Sequence, residues 1–274
     1  MSPKAAIEVA ALRKSFTDRD GKPHPVLQNL GLVVGAGEFL CILGPSGCGK
    51  STLLNILAGL DTAYEGHLRR QGGRVGYLFQ EPRLLPWLTA EENLDFGLRS
   101  CRLPVSRWDE LKSRYLSMAG LSAYRDYYPH QLSGGMAQRL ALVRSLCVEP
   151  GILLMDEPFS GLDEITARRL RLDLLKIWHE TRKTIVFVTH NAYEACLLAD
   201  RILVMSGGAF RQQIQVTIPR PRSYDDPAVF ELSREVVRAF GDEIELDPDS
   251  STPTTTEISL AGGFDRHATA RMNL

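Results

Sequence analysis

No apolar run in this 274-residue chain approaches the roughly 20 residues that a membrane span requires. The N-terminus, Met1-Ser2-Pro3-Lys4-Ala5-Ala6, also lacks the apolar core of a signal peptide, so the expectation is a chain that stays in the cytosol. Neither sign of charge is in excess. With 32 Lys and Arg against 33 Asp and Glu the net charge is -1, and no overall basic field argues for a nucleic-acid partner. Cysteines are few, at positions 41, 48, 101, 147 and 196, odd in number and never spaced as CxxC or beside paired histidines. That pattern points to reduced thiols and argues against a zinc site. The remaining composition, 44% hydrophobic and 24% charged, is that of an ordinary globular protein. It is long enough for one sizeable α/β domain with a subdomain, or for two small domains.

The most informative stretch is Gly44-Pro45-Ser46-Gly47-Cys48-Gly49-Lys50-Ser51-Thr52, which fits the phosphate-loop pattern GxxxxGK[ST] at every fixed position. The apolar run 38–43 before it reads as a buried strand, and 52–58 after it has helical spacing. Glycines at 44, 47 and 49 let the backbone turn and aim its N–H groups inward, while the new helix contributes the positive end of its dipole. Lys50 is then expected to reach the β and γ phosphates of a nucleotide, Ser51 to take one position on Mg²⁺, and Thr52 to help hold the α phosphate.

Around this cradle, residues 7–12 and 26–34 read as strands flanking a turn-rich stretch, with Phe16 just after the first. A lone aromatic there reads as core on residue physics alone, yet a flat apolar ring is also what an adenine stacks on. Residues 74–79 read as a strand with Gln80 at its end, where it can meet a metal or an attacking water. The following loop, Leu84-Leu85-Pro86-Trp87-Leu88, is either tucked under a subdomain or offered to a partner. Thr89-Ala90-Glu91-Glu92 has the capping-box spacing, and helical patterning from there to about residue 150 predicts a helical insertion between strands of one sheet. Within it, Ser133 before Gly134-Gly135-Met136 is a good N-cap with uncovered first-turn N–H groups, a second phosphate-sized site. Two copies paired head to tail would close both sites around nucleotide. Ile152 to Asp156 is an apolar strand ending in two carboxylates. Asp156 is expected to hold Mg²⁺ through water and Glu157 to orient and polarise the attacking water. Ser160-Gly161-Leu162-Asp163 and a helix through Glu180 follow, then a buried strand, 184–189, with His190 at its end, placed to bond the γ phosphate.

Taken together and in this order, GPSGCGKST, Gln80, LSGGM, LLMDE, SGLD and His190 make the chain resemble the ATP-binding subunit of ABC transporters from about residue 7 to 218. The resemblance implies an α/β phosphate-loop NTPase core of RecA-like type, with an antiparallel β subdomain and an inserted α-helical subdomain at about 88–150. One ATPase domain is expected over 1–240, and the composition of 241–274, with Asp247-Pro248-Asp249-Ser250-Ser251-Thr252-Pro253 and a Thr run, predicts an unstructured tail. By this likeness Phe16 stacks on adenine, Gln80 is the Q-loop residue, Ser133 to Met136 the signature, Asp163 the D-loop aspartate and His190 the switch histidine. Catalysis then falls to Glu157, His190 and Gln80. The metal falls to Ser51, Gln80 and Asp156, with ATP and Mg²⁺ as the bound species. Three departures stand out: Phe16 for Tyr, Met136 for Gln, and Cys48 for Ser or Ala, the last placing a thiol in the cradle and suggesting thiol sensitivity. None removes a group that hydrolysis needs.

Leu84-Leu85-Pro86-Trp87, Ser-Gly-Gly-Met-x-Gln-Arg and Ile218-Pro219-Arg220-Pro221-Arg222 resemble the importer ATPases for nitrate, taurine and alkanesulfonates. The implied partners are a second copy or a homologous ATPase subunit, membrane permease subunits gripped through Leu84 to Leu88, and a periplasmic or lipid-anchored solute-binding protein. The implied location is the cytoplasmic face of the inner membrane. Export instead of import stays open. A chromosome-type relative would need a long coiled coil where only about fifty residues separate Gln80 from Ser133. A translation-type relative would carry two cassettes. A helix starting near Asp226-Pro227, with Val229, Leu232, Val236 and Phe240 on one face, is expected after the last strand.

Overall fold

The completely apolar segments build the centre of the molecule. In the computed structural model, which describes residues 4–101, 103–244 and 254–256, three of them become strands buried along their whole length: β3 (Phe39–Leu43), β6 (Ile152–Asp156) and β7 (Thr184–Thr189). Burial on both faces requires such unbroken apolar runs, and parallel pairing supplies it. Phe39, Cys41 and Leu43 point into one core, and Leu40 and Ile42 into the other. The sheet continues through β5 (Val75–Leu78) at one edge and β8 (Arg201–Ser206), β9 (Ala209–Gln215) and β10 (Thr254–Thr256) at the other, in the order β10-β9-β8-β3-β7-β6-β5. Every pair is parallel except the β8-β9 hairpin.

A second, antiparallel sheet has the order β2-β1-β4, from β1 (Ala5–Thr17), β2 (Pro23–Gly35) and β4 (Glu65–Arg70). Here burial alternates, with Leu27, Leu30, Leu32 and Val34 inward and Gln28, Gly31 and Val33 outward. The strands are longer than the sequence suggested, so Phe16 lies inside β1. The extra length is taken up by bulges at Ala11 and Asn29, both with φ just above +50°. Gly66 packs under the first bulge at φ +100°; a Cβ there would stand 2.5 Å from the Ala11 carbonyl oxygen. Strand β4, unforeseen in the sequence, pairs with β1 along an edge.

Helices cover the central sheet. The phosphate-loop helix α1 (Lys50–Ala58) lies between the two sheets. On the other face an arm of three helices, α2 (Ala90–Arg99), α3 (Trp108–Met118) and α4 (Gly134–Cys147), packs Leu94, Tyr115 and Leu140 together. Thr89 caps α2 in the expected box: its hydroxyl accepts from the Glu92 N–H, and the Glu92 carboxylate accepts from the Thr89 N–H. The remaining helices are α5 (Glu164–Thr181), α6 (Ala192–Leu198) and α7 (Pro227–Ile244). Helix α7 buries Val229, Leu232 and Val236, while the side chain of Phe240 lies outside the described residues. Most of the expected tail, 245–253 and 257–274, also lies outside them. No helix among the described residues is long and apolar enough to cross a membrane.

Candidate functional site

The loop 44–49 leaves the carboxyl end of β3 and enters α1, and its neighbours explain two of its glycines. A Cβ on Gly44 would meet the Met205 carbonyl oxygen at 2.3 Å; one on Gly49, at φ +103°, would meet Val26 and Leu27 at 2.9 and 2.8 Å. The loop is therefore wedged between β8 and β2, and only glycine fits. Lys50, buried, spans it from inside. Its ammonium donates to the carbonyl oxygens of Gly44 at 2.8 Å and Pro45 at 2.7 Å and lies 3.8 Å from a Glu157 carboxylate oxygen. A cavity of about 410 Å³ opens over this cradle, bordered by Phe16, Ser46, Gly47, Thr52, Gln80 and Glu157. Phe16 is 46% exposed there, with the Lys14 ammonium 4.7 Å from its ring centre, so the core reading of this residue is excluded.

The other end of the site is built by β6 and β7. Asp156 closes β6; burial pushes its carboxyl above the usual range, partly offset by a hydrogen bond from the Ser51 hydroxyl and by Lys50. Glu157 follows in the left-handed region at φ +42°, a conformation held by its N–H bond to the Val188 carbonyl and by Ser160, which donates to the Glu157 carbonyl through both N–H and hydroxyl. His190, at the end of β7, places Nδ1 3.0 Å from a Glu157 carboxylate oxygen. Ser51, Gln80 and Asp156 share the border of an adjoining cavity of about 920 Å³. Hydroxyl, amide and carboxylate oxygens, without thiol or imidazole, form a donor set that fits Mg²⁺. Among the described residues no three or more His, Cys, Asp or Glu are gathered to hold a metal. Magnesium suits such a site because it keeps water and phosphate oxygens among its ligands.

Ser133 caps α4, accepting from the Met136 N–H at 3.3 Å, and both Ser133 and Gly134 are exposed. Gly135 packs under α5, where a Cβ would come 2.6 Å from the Thr166 methyl. Asp163 caps α5, and its bond from the Thr166 N–H holds its carboxyl below the ordinary range. The structure thus brings Phe16, residues 44–52, Gln80, Asp156, Glu157 and His190 to one end of the central sheet. Ser133, Met136 and Asp163 border neither cavity; of the signature, only Gly134 reaches the edge of the larger one.

Cys48 differs from expectation. It is 8% exposed, and burial raises its thiol above the ordinary range, so little thiolate is present and the suggested thiol sensitivity finds no support in the fold.

The loop after Gln80 is tucked in part and exposed at one large apolar residue. Leu84, Leu85 and Leu88 are partly buried, while Trp87 is 70% exposed. Two residues unnoticed in the sequence pin it to the arm. Buried Asn93 accepts from the Leu85 N–H and donates to the carbonyls of Leu85, Leu88 and Thr89, while Arg144 donates to those of Pro82 and Arg83. A lone Asn in a helix carries no local signal for this role.

A phosphate cradle, an oxygen donor set for Mg²⁺ and a positioned carboxylate at the end of a parallel sheet define a phosphate-loop ATPase. The chain belongs to the ABC transporter family, as an ATP-hydrolysing, ATP-binding protein. Residues 27–160 match that family's profile. An uncharacterised ABC transporter ATP-binding protein of Methanocaldococcus jannaschii is 39% identical over 250 residues, covering 88% of this chain and 93% of that protein. An aliphatic sulfonates import ATP-binding protein, SsuB, of Bacillus cereus is 38% identical over 247 residues (85% and 95%), and SsuB 2 of Burkholderia cenocepacia 41% over 245 residues (85% and 87%). A dimeric, post-hydrolysis ATP-binding cassette bound to ADP and Pi superposes with a TM-score of 0.70 at 30% identity, covering 78% of this chain and all of that one.

Proposed function

We propose that this chain is the ATPase subunit of an importer for an alkanesulfonate or a similar small anion such as taurine or nitrate, working as a head-to-tail pair on membrane permease subunits. The observation that carries the pairing is the division of phosphate-binding groups: Ser133 and Gly134 at the capped helix are exposed, yet Ser133 and Met136 border neither cavity of the nucleotide site and Gly134 only reaches the edge of the larger one. The SsuB relatives support the solute class. In this reading Lys50 contacts the β and γ phosphates, Ser51, Gln80 and Asp156 hold Mg²⁺, and Phe16 stacks on the adenine. The metal, when bound, neutralises charge developing on the transferred phosphoryl group. Glu157 orients the attacking water, His190 holds Glu157 and meets the γ phosphate, and the partner's Ser133 to Met136 supplies backbone N–H groups to the same phosphate. Pairing and release of the two copies, transmitted through the loop around Trp87, switches the permease. Periplasmic or lipid-anchored capture of the solute and a station on the inner face of the membrane belong to the same reading.

Growth tests the solute. Cells lacking this chain should fail to use alkanesulfonates as sole sulfur source while still using sulfate; unimpaired growth on every alkanesulfonate, taurine and nitrate would remove the solute assignment.

A further inference from the structure

A polar chain with a buried centre runs from the residues flanking His190 to the segment after β9. Thr189 and Asn191 flank His190, and both are tied to Glu194 on α6: the Thr189 hydroxyl donates to a Glu194 carboxylate oxygen at 2.7 Å, and the Asn191 side chain accepts from the Glu194 N–H at 3.1 Å. The Thr189 hydroxyl also accepts from the Asn191 N–H at 3.0 Å, closing the loop on itself. Glu194 is bound in turn by Arg171 of α5, through Nη2 at 2.6 Å and Nε at 3.1 Å. Arg171 and Glu194 are 4% and 7% exposed. The remaining guanidinium nitrogen, Nη1, donates at 2.9 Å to Glu164, the residue after Asp163, and at 2.6 Å to the Tyr224 hydroxyl. Tyr224 is itself held, its carbonyl accepting from the Tyr193 hydroxyl at 2.6 Å.

We infer that Arg171 is a positioning residue: with Glu194 it fixes the His190 loop against Glu157 and makes that geometry depend on Tyr224 of the C-terminal segment. An ion pair buried this deeply is seldom a net source of stability, because desolvating both charges offsets their attraction. Its use here is placement. The polar atoms not spent within the pair reach three parts around Glu157: Glu194 Oε2 the end of β7, and Arg171 Nη1 the start of α5 and the connection into α7. A shift of an ångström at His190 is enough to slow a step that depends on near-attack geometry. The inference rests on the roles given to Glu157 and His190 above.

Removing either charge leaves its partner buried and alone, so milder variants serve as the test. In ATPase assays on the full chain over a range of Mg-ATP concentrations, Thr189→Val, which keeps the shape but loses the hydroxyl, should lower kcat about tenfold with KM within about twofold. Thr189→Ser should return kcat to within about twofold of the native value, and Tyr224→Phe should lower it about threefold with KM unchanged. A purely structural role would lower the melting temperature and the folded fraction while leaving kcat per folded chain intact, and that result overturns the inference. A slow Thr189→Val beside a fully active Tyr224→Phe overturns the link to the C-terminal segment. Glu157→Gln run in parallel separates the two levels. If it hydrolyses ATP normally, the catalytic assignment fails; if it is inactive while Thr189→Val is unaffected, only the present inference fails.

Discussion

Glu157 stands at φ +42°, where a non-glycine residue costs on the order of 1–3 kcal/mol, and it is held there by Val188, Ser160 and His190. Ala11, Asn29, Arg83, Glu149 and Arg182 share such a φ, and Glu157 is set apart from them by its place beside Lys50 and His190. Glu157→Gln is nearly isosteric, so it should abolish turnover, by a hundredfold or more, while nucleotide binding measured by equilibrium dialysis stays near normal. Phe16 offers a second test. Stacking of a base on an aromatic ring is worth roughly 1–3 kcal/mol, so Phe16→Ala should weaken ATP binding about tenfold, and Phe16→Tyr should leave it nearly unchanged. At this scale the sequence was partly legible. Residues 44–52 announce themselves because their glycines are demanded by wedging against Met205 and Leu27. Phe16 did not, since neither its exposure nor the length of the strand carrying it is written in its neighbours. Arg171 and Glu194 were invisible for the same reason: 23 residues apart on two helices, they meet only in the folded chain.

Elements differ in how plainly they are encoded. Strands β3, β6 and β7 could be read directly because burial on both faces leaves no choice but an unbroken apolar run. Strand β4, Glu65-Gly66-His67-Leu68-Arg69-Arg70, holds one large apolar residue and gains its shape from backbone pairing with β1, so no pattern betrays it. The loop at 84–88 shows how an irregular segment is kept in place. Asn93, fully buried, makes four hydrogen bonds to residues between Leu85 and Thr89. Asn93→Ala would take the partner from the Leu85 N–H and the Leu88 carbonyl, while the carbonyls of Leu85 and Thr89 keep backbone donors, and should destabilise the protein by about 2–3 kcal/mol, a fall of several degrees in the melting temperature seen by calorimetry. Trp87 is the complementary case, exposed and free of such duties. Trp87→Ala together with Leu85→Ala should spare nucleotide binding yet reduce co-purification with the permease subunits; unchanged recovery would remove this loop as the contact surface.

For the molecule as a whole, the decisive feature is that most of the capped helix end lies outside the nucleotide site of its own chain. The cradle at 44–52 opens beside Phe16, while exposed Ser133 borders neither cavity there and Gly134 only reaches the edge of the larger one. Net charge neither draws the copies together nor keeps them apart, because the chain carries only -1. In the proposed pairing, nucleotide bound in the cradle supplies the attraction, giving the signature N–H groups of a second copy an anion to close upon. This expectation comes from the order of motifs and not from any single one, since a capped helix with two glycines has an ordinary structural use as well. The most direct test is the mass of Glu157→Gln in solution by light scattering. Saturated with Mg-ATP it should double from the 30.5 kDa of one chain and return to that value when nucleotide is removed. A single-chain mass at saturating Mg-ATP, both alone and with the permease subunits present, would contradict the account.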